Sequence, residues 1–439
     1  MTVNSFIRIQ SFLKDVIIRS PFIQNVTSTF LVRVLSLFFS IVNAAIIARL
    51  LGPEGKGMLA LALLVPGMLG LFLSGGIEVA NVYFAGSRRL DVHALSANSV
   101  AFTILATIAG FGVLIGLGAT GWLKVIVPGV PVWILFIAML GFPISLLNGF
   151  FSTILQGLQR IITLNLISLF QGFLTLILTL MLVIVLRFGL LGALVATLIS
   201  GVLSLIVLGI FLRREGGVFI PRWERSVVRS TLSFGLKGHI GNMLQFFNYR
   251  LDMFILNAFL GPANVGIYTV SVRLAELLWY LPNAVAFVIF PKAAASEPEE
   301  MNVFTPRVFR ITLGLTTLGG LGLILLGRPA INLVFSSVFA SAYVPMLVLL
   351  PGVVLLGGAK VLTNEIAGRG YPYYNSVNSG LALVITVVLD LLLIPRYGVV
   401  GAALASSIAY TSIFFTAIAF FLNVKQRAKK TSPIQTSAS

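Results

Sequence analysis

The chain has 439 residues, 58% of them hydrophobic and only 10% charged, and its mean hydropathy is +1.04. A soluble globular domain carries about 25% charged residues, so the composition excludes one and points to a polytopic membrane protein. The chain contains no cysteine and only two histidines, His93 and His239, which excludes disulfide and thiolate chemistry and argues against a histidine metal site. No GxxxxGK[ST] phosphate loop occurs, so nothing points to ATP hydrolysis. The net charge of +17 does not require nucleic acid, because much of the excess lies in short loops, where the positive-inside rule puts it.

Residues 1–22 carry Phe6, Ile9, Leu13, Val16 and Ile17 at helical spacing among Arg8, Lys14 and Arg19. This predicts an interfacial helix on the cytoplasmic face. Twelve apolar runs follow, at about 26–50, 58–84, 97–120, 132–157, 162–186, 190–213, 231–259, 266–290, 307–327, 342–366, 373–394 and 399–423. Each approaches or exceeds the roughly 20 residues that a helix needs to cross a bilayer. With the N-terminus cytoplasmic, the inner segments hold 19 basic residues and the outer loops six, which places both termini inside. The connection 214–230 reads as a solvated linker beside anionic headgroups. Glu297-Pro298-Glu299-Glu300 reads as an exposed turn, and 425–439 as a basic, disordered tail.

The chain repeats itself at a shift of 209 residues. Leu51, Gly52, Pro53 and Gly57 fall on Leu260, Gly261, Pro262 and Gly266; Arg160 falls on Arg369; and the run 187–193 falls on 396–402. These positions lie in or beside turns, where Gly and Pro are demanded by backbone geometry. Three blocks in one register predict a duplicated membrane unit. The expected fold is all-α, with two six-helix bundles, 23–213 and 231–424, related by a parallel repeat.

Polar residues recur on the faces of several spans, where a charge at mid-bilayer costs about 2.5–3.5 kcal/mol on insertion scales. The seventh span carries Lys237, Gly241, Gln245, Asn248 and Asp252 on one face, and the first carries Arg33, Ser36, Ser40 and Asn43. The eighth carries Thr269, Arg273, Glu276, Tyr280 and Asn283; the fourth Ser145, Asn148, Ser152, Gln156 and Gln159; the fifth Asn165, Ser168, Gln171, Thr175 and Thr179. The tenth adds Lys360 and Asn364, and the eleventh Asn375, Asn378 and Asp390. A hydrated central cavity is the simplest object for them to line. Each charge also has a structural reading: Arg273 and Glu276 can neutralise each other, Lys237 can snorkel, Arg250 can serve packing, and Glu365 and Asp390 sit near span ends. Asp252, Glu276, Glu365 and Asp390 are the candidate proton or cation sites.

The stretch Ala48-Arg49-Leu50-Leu51-Gly52-Pro53-Glu54-Gly55-Lys56-Gly57, with Arg396-Tyr397-Gly398-Val399-Val400-Gly401-Ala402-Ala403 and the gap-free repeat, resembles the oligosaccharide (O-antigen type) flippases. These form the polysaccharide branch of the multidrug/oligosaccharidyl-lipid/polysaccharide (MOP) exporter superfamily. The resemblance covers about 26–424. It implies a plasma (inner) membrane protein that moves a polyprenyl-diphosphate-linked glycan by alternating access, driven by H+ or Na+, without catalysis or a cofactor. It implies that Arg33, Lys237, Arg273 and Lys360 meet the diphosphate, since fixed cations suit that headgroup. Asn43, Asn148, Gln156, Gln245, Asn248 and Tyr280 would meet sugar hydroxyls. Membrane lipids and polysaccharide-assembly proteins are the further candidate partners. Two other readings remain: a cation-coupled multidrug exporter of the same superfamily, and a membrane glycosyltransferase or polymerase acting on the same lipid.

Overall fold

The structure, a computed structural model, describes residues 21–431, apart from the side chains of 21–31, 33, 237, 238 and 428–431. The expected interfacial helix at 1–20 and the last eight residues of the tail lie outside the described residues. Within them the secondary structure is helical and contains no strand. In chain order the helices are α1 (Pro21–Leu73), α2 (Ile77–Gly86), α3 (Val92–Ala119), α4 (Trp122–Ile126), α5 (Val132–Met139), α6 (Gly141–Gly157), α7 (Ile161–Thr179) and α8 (Gly189–Arg214). Then come α9 (Arg225–Leu260), α10 (Pro262–Glu276), α11 (Tyr280–Ala295), α12 (Pro298–Val334), α13 (Tyr343–Gly368) and α14 (Tyr373–Thr431). Glu299 and Glu300 form the first turn of α12 rather than a loop, where acidic residues favour the helix N-terminus.

Among the described residues, nine segments are long and apolar enough to cross a membrane. Two of these, Val34–Leu73 and Tyr373–Arg427, run to 40 and 55 residues and are broken by a non-helical glycine, Gly52 in one and Gly398 in the other. Counting each as two passes, and adding the more polar α9, gives the twelve passes expected.

The break at Gly52 has φ 66° and ψ −174°. Its partner in the repeat, Gly261, has φ 78° and ψ 176°, with Pro262 opening α10 behind it. Only glycine holds that conformation without strain, and proline is preorganised for the first helical turn that follows. Gly189 and Gly398, also 209 apart, have φ 54° and 59°. The repeat seen in the sequence is therefore a repeat of backbone conformation.

The described residues divide into two compact units: 21–50, 63–116 and 132–238 fall in the first, and 51–62, 117–131 and 239–431 in the second. In the first unit, α2 and α6 approach so closely at Gly86 and Gly157 that a Cβ on Gly157 would lie 2.7 Å from the Val82 carbonyl oxygen. Small residues permit that approach. Buried Asn81 donates to Ser99 Oγ (3.2 Å) and to the Phe150 carbonyl (3.3 Å). Thr175 donates to Ser200 Oγ (2.8 Å), and Ser204 donates to Gln171 Oε1 (3.3 Å), stitching α7 to α8. The polar stripe of the fifth span thus bonds a neighbouring helix at Gln171 and Thr175, as hydroxyl and amide groups do where lipid offers no partner.

In the second unit the two repeated turns meet. A Cβ on Gly57 would collide with the Pro262 carbonyl and stand 2.9 Å from Gly266 N; a Cβ on Gly266 would collide with the Pro53 carbonyl and stand 3.1 Å from Gly57 N. Elsewhere α13 and α14 touch backbone to backbone at Gly352, whose N–H donates to Ser407 Oγ at 3.1 Å. Asn257 of α9 caps the Pro128 carbonyl at 3.0 Å.

Candidate functional site

The second unit gathers most of the singled-out charges around the C-terminal half of α9. Asn248 and Asp252 are one helical turn apart and both are buried. They face Thr386 and Asp390 of α14, again one turn apart, so two i,i+4 pairs oppose each other. Thr386 donates to Asn248 Oδ1 at 2.8 Å. Asp252 accepts from Tyr268 Oη (2.5 Å), from Ser406 Oγ (3.2 Å) and from the Met253 N–H (2.8 Å). Asp390 is 0% exposed, and neither of its oxygens has a hydrogen-bond partner among the described residues. Its carboxyl lies within electrostatic reach of Asp252. An acid buried without partners is expensive, so this is the one singled-out acid that the surrounding protein leaves wholly unsatisfied. The sequence places it near a span end; the structure buries it, on the face of α14 where Thr386 meets Asn248 of α9.

The other two acids are committed to arginines. Glu276 of α10 binds Arg250 through two bonds, Nη1 to Oε1 at 3.0 Å and Nη2 to Oε2 at 3.3 Å. Arg250 therefore holds Glu276 by a bidentate pair, a role the i,i+3 spacing suggested for Arg273. Helix α9 delivers Arg250 from the side, and its planar fork matches a carboxylate. Glu365, expected near solvent, is 0% exposed and accepts from Arg369 Nε at 2.5 Å, while Arg369 Nη2 reaches Asn302 at 3.1 Å. This pair fastens the end of α13 to the start of α12.

Lys360 of α13 donates to Asn283 Oδ1 at 2.9 Å and lies 4.7 Å from the Trp279 ring and 5.8 Å from that of Tyr249. No carboxylate pairs with it among the described residues. The aromatic wall is itself fixed: Trp279 donates to the Val353 carbonyl at 3.0 Å and packs on Tyr249 and Tyr410 at 5.3 and 5.7 Å. Cation–π attraction orients the ammonium and leaves its remaining donors for a ligand.

Arg273, Tyr280, Gln245 and Gln156 are exposed. Gln245 donates to Tyr249 Oη at 3.3 Å. In the first unit, Asn148 donates to the carbonyls of Ile144 (2.9 Å) and Gly201 (3.2 Å), so it ties α6 to α8 and has no donor left for a sugar. Asn43 keeps a buried Oδ1 without a partner. Arg33 lies on α1 and Lys237 on α9, and both side chains lie outside the described residues.

Sequence reasoning missed Lys56. The run Gly-Pro-Glu-Gly-Lys-Gly reads as a loop, yet Pro53 starts a helix and carries Lys56 on its first turn. There the ammonium lies 5.7 Å from the Phe335 ring and within electrostatic reach of Arg273. The N1 preference of proline was the available signal. Tyr268 and Ser406, which hold Asp252, were also missed; single polar atoms within apolar runs carry no spacing that marks them.

Solved transporters share this architecture. An inward-facing multidrug resistance MATE family transporter of the MOP superfamily matches with a TM-score of 0.72 at 18% identity, over 90% of this chain and 96% of the other. The lipid II flippase MurJ, in an inward closed conformation, matches with a TM-score of 0.74 at 16% identity, over 93% and 91%. The fold is that of the MOP superfamily, and the chain is a multi-pass membrane protein. A family model described as "Polysaccharide biosynthesis protein" matches residues 46–344. The chain belongs to that polysaccharide biosynthesis family.

Among curated relatives, "Probable flippase AglR" of Haloferax volcanii is 29% identical over 47% of this chain and 45% of its own length. A "Probable low-salt glycan biosynthesis flippase" of the same organism is 20% identical over 42% and 39%. The chain thus spans less than half the length of these relatives. An uncharacterised membrane protein of Methanocaldococcus jannaschii is 22% identical over 87% of this chain and 93% of its own.

Proposed function

We propose that the protein is a flippase that carries a polyprenyl-diphosphate-linked oligosaccharide across the plasma membrane by alternating access of two six-helix halves, 23–213 and 231–424, with both termini cytoplasmic. The cargo crosses chemically unchanged. The observation that carries this reading is Lys360: a cation held by an amide and two rings, with no carboxylate in ion-pair contact among the described residues, suits an anionic headgroup better than a cationic drug. Arg33, Lys237, Arg273 and the newly placed Lys56 complete the cationic set. Tyr280, Gln245, Gln156 and Asn43 offer polar atoms to the glycan. Family membership and the relatives named as probable flippases support the same cargo class.

Coupling to an ion gradient falls to Asp252 and Asp390 in this reading. Asp390 has an unmet need for a proton or cation, and Asp252 adds a second carboxyl beside it. Glu276 and Glu365 serve structure through Arg250 and Arg369.

The test is translocation of a polyprenyl-diphosphate sugar by the purified protein in liposomes, with and without an H+ or Na+ gradient. Gradient-dependent appearance of the sugar in the opposite leaflet, lost in Lys360→Met and kept in Lys360→Arg, is expected. Drug uptake without sugar movement would instead establish the multidrug-exporter reading.

A further inference from the structure

The charges of the connection between α8 and α9 suggest a solvated linker beside anionic headgroups; the segment is, however, neither loose nor wholly polar. Its backbone is pinned to the first unit: the Val218 N–H donates to Ser96 Oγ at 2.9 Å, and the Arg222 N–H to the Ala97 carbonyl at 3.2 Å. Phe219 packs against Phe151 at 5.7 Å and over Gly209. Glu215 closes the near end with a 2.8 Å ion pair to Arg160. Fastened in this way, the strap turns two large apolar side chains outward, Ile220 at 75% and Trp223 at 52% exposure. A loose loop could fold such groups back, but a pinned one cannot. Arg222 and Arg225 follow Ile220 and bracket Trp223 and Glu224; all are exposed, and the Glu224 carboxylate accepts from Ser226 Oγ at 3.0 Å, with no ion pair to either arginine among the described residues.

Exposed apolar groups beside arginines that make no ion pair among the described residues, at the end of a membrane-crossing helix, fit the membrane interface. We propose that this strap lies in the headgroup layer of the bilayer, with Ile220 and Trp223 at the acyl boundary and Arg222 and Arg225 on the phosphates of an anionic phospholipid. Tryptophan favours that depth, and basic residues there select acidic lipids. The strap then anchors the entry to α9 to the membrane surface. The inference rests on the membrane-spanning fold alone and is independent of the cargo.

Because the chain has no cysteine, Ile220→Cys introduces a single thiol for an environment-sensitive fluorophore. The labelled protein is reconstituted in vesicles of phosphatidylcholine, alone or mixed with phosphatidylglycerol, and quenched by aqueous iodide or by bromine-labelled lipids. A label at Ser87→Cys, on an exposed turn, serves as the aqueous control. Lipid-borne bromine should quench the label at 220, and iodide should not. Each arginine near an anionic surface contributes about a fivefold preference, so two give a preference on the order of 30-fold for phosphatidylglycerol as quencher carrier. Arg222→Gln with Arg225→Gln should abolish that preference and leave lipid quenching intact. Quenching at 220 by iodide alone, as at 87, would overturn the proposal. Equal quenching by both lipids in the unsubstituted strap would overturn its anionic selectivity.

Discussion

Replacing Glu276 by glutamine is expected to destabilise the fold through Arg250 rather than to uncouple transport. The two side chains share bonds of 3.0 and 3.3 Å and are only 30% and 20% exposed. Breaking a fully buried pair costs about 3–5 kcal/mol, because the surviving charge is stranded, whereas an exposed pair contributes about 0–1 kcal/mol. With both partners partly exposed, the cost of Glu276→Gln should be about 2–3 kcal/mol. Arg250→Gln should cost a similar amount. The double variant, which strands no charge, should lie within about 1 kcal/mol of the parent, so a double-mutant cycle read from unfolding in detergent should give a large coupling energy. Additive single effects would refute the reasoning. So would a Glu276→Gln protein of normal stability whose transport no longer responds to an ion gradient, which would return Glu276 to the coupling acids.

Asp390→Leu should raise the unfolding midpoint measured without added cations, since it removes an unsatisfied buried acid, and should abolish gradient dependence; a lowered midpoint would show that the carboxyl has partners. If a cation fills this place, the parent should gain about 2.7 kcal/mol at a concentration one hundredfold above its dissociation constant, and Asp390→Asn should gain less. Gly52→Ala and Gly261→Ala should each cost about 1–3 kcal/mol for the forced positive φ, whereas Gly112→Ala, in a helix with open space around it, should be neutral or stabilising by up to about 1 kcal/mol; equal effects at the three sites would contradict the conformational account. Gly57→Val should be worse than Gly52→Ala, since it meets backbone that cannot move aside, and thermal unfolding of the two variants gives the comparison.

Features fixed locally along the chain were legible in the sequence. Length and apolarity give the passes, and the paired Gly-Pro turns at 52 and 261 give the repeat, because positive φ admits few residues. Helical spacing put Asn248 and Asp252 on one face of their helix, and both are buried on it; the bond from Lys360 to Asn283 joins two helices that spacing does not relate. What spacing cannot convey is which neighbour a polar face meets. Gln171 and Thr175 look like cavity residues on their own helix, yet they bond α8. Arg250 read as a packing residue because its partner lies 26 residues away, while the nearer Arg273 made a plausible local pair for Glu276. Glu365 was hidden by the same limit: an acid at a span end reads as solvated until a second helix covers it.

The meeting of the repeated turns is isologous: position 53 faces 266 as 57 faces 262, the pattern of a two-fold contact between identical surfaces. A six-helix chain with one copy of the turn would make this contact with a second copy of itself, and any substitution would then appear on both sides. Fusion into one chain lifts that constraint. The glycines that must meet are kept in both turns, while Glu54, Gly55 and Lys56 stand opposite Ala263, Asn264 and Val265 in the register. A carboxylate and an ammonium therefore enter on one side only, Lys56 within electrostatic reach of Arg273, and a symmetric frame carries an asymmetric field.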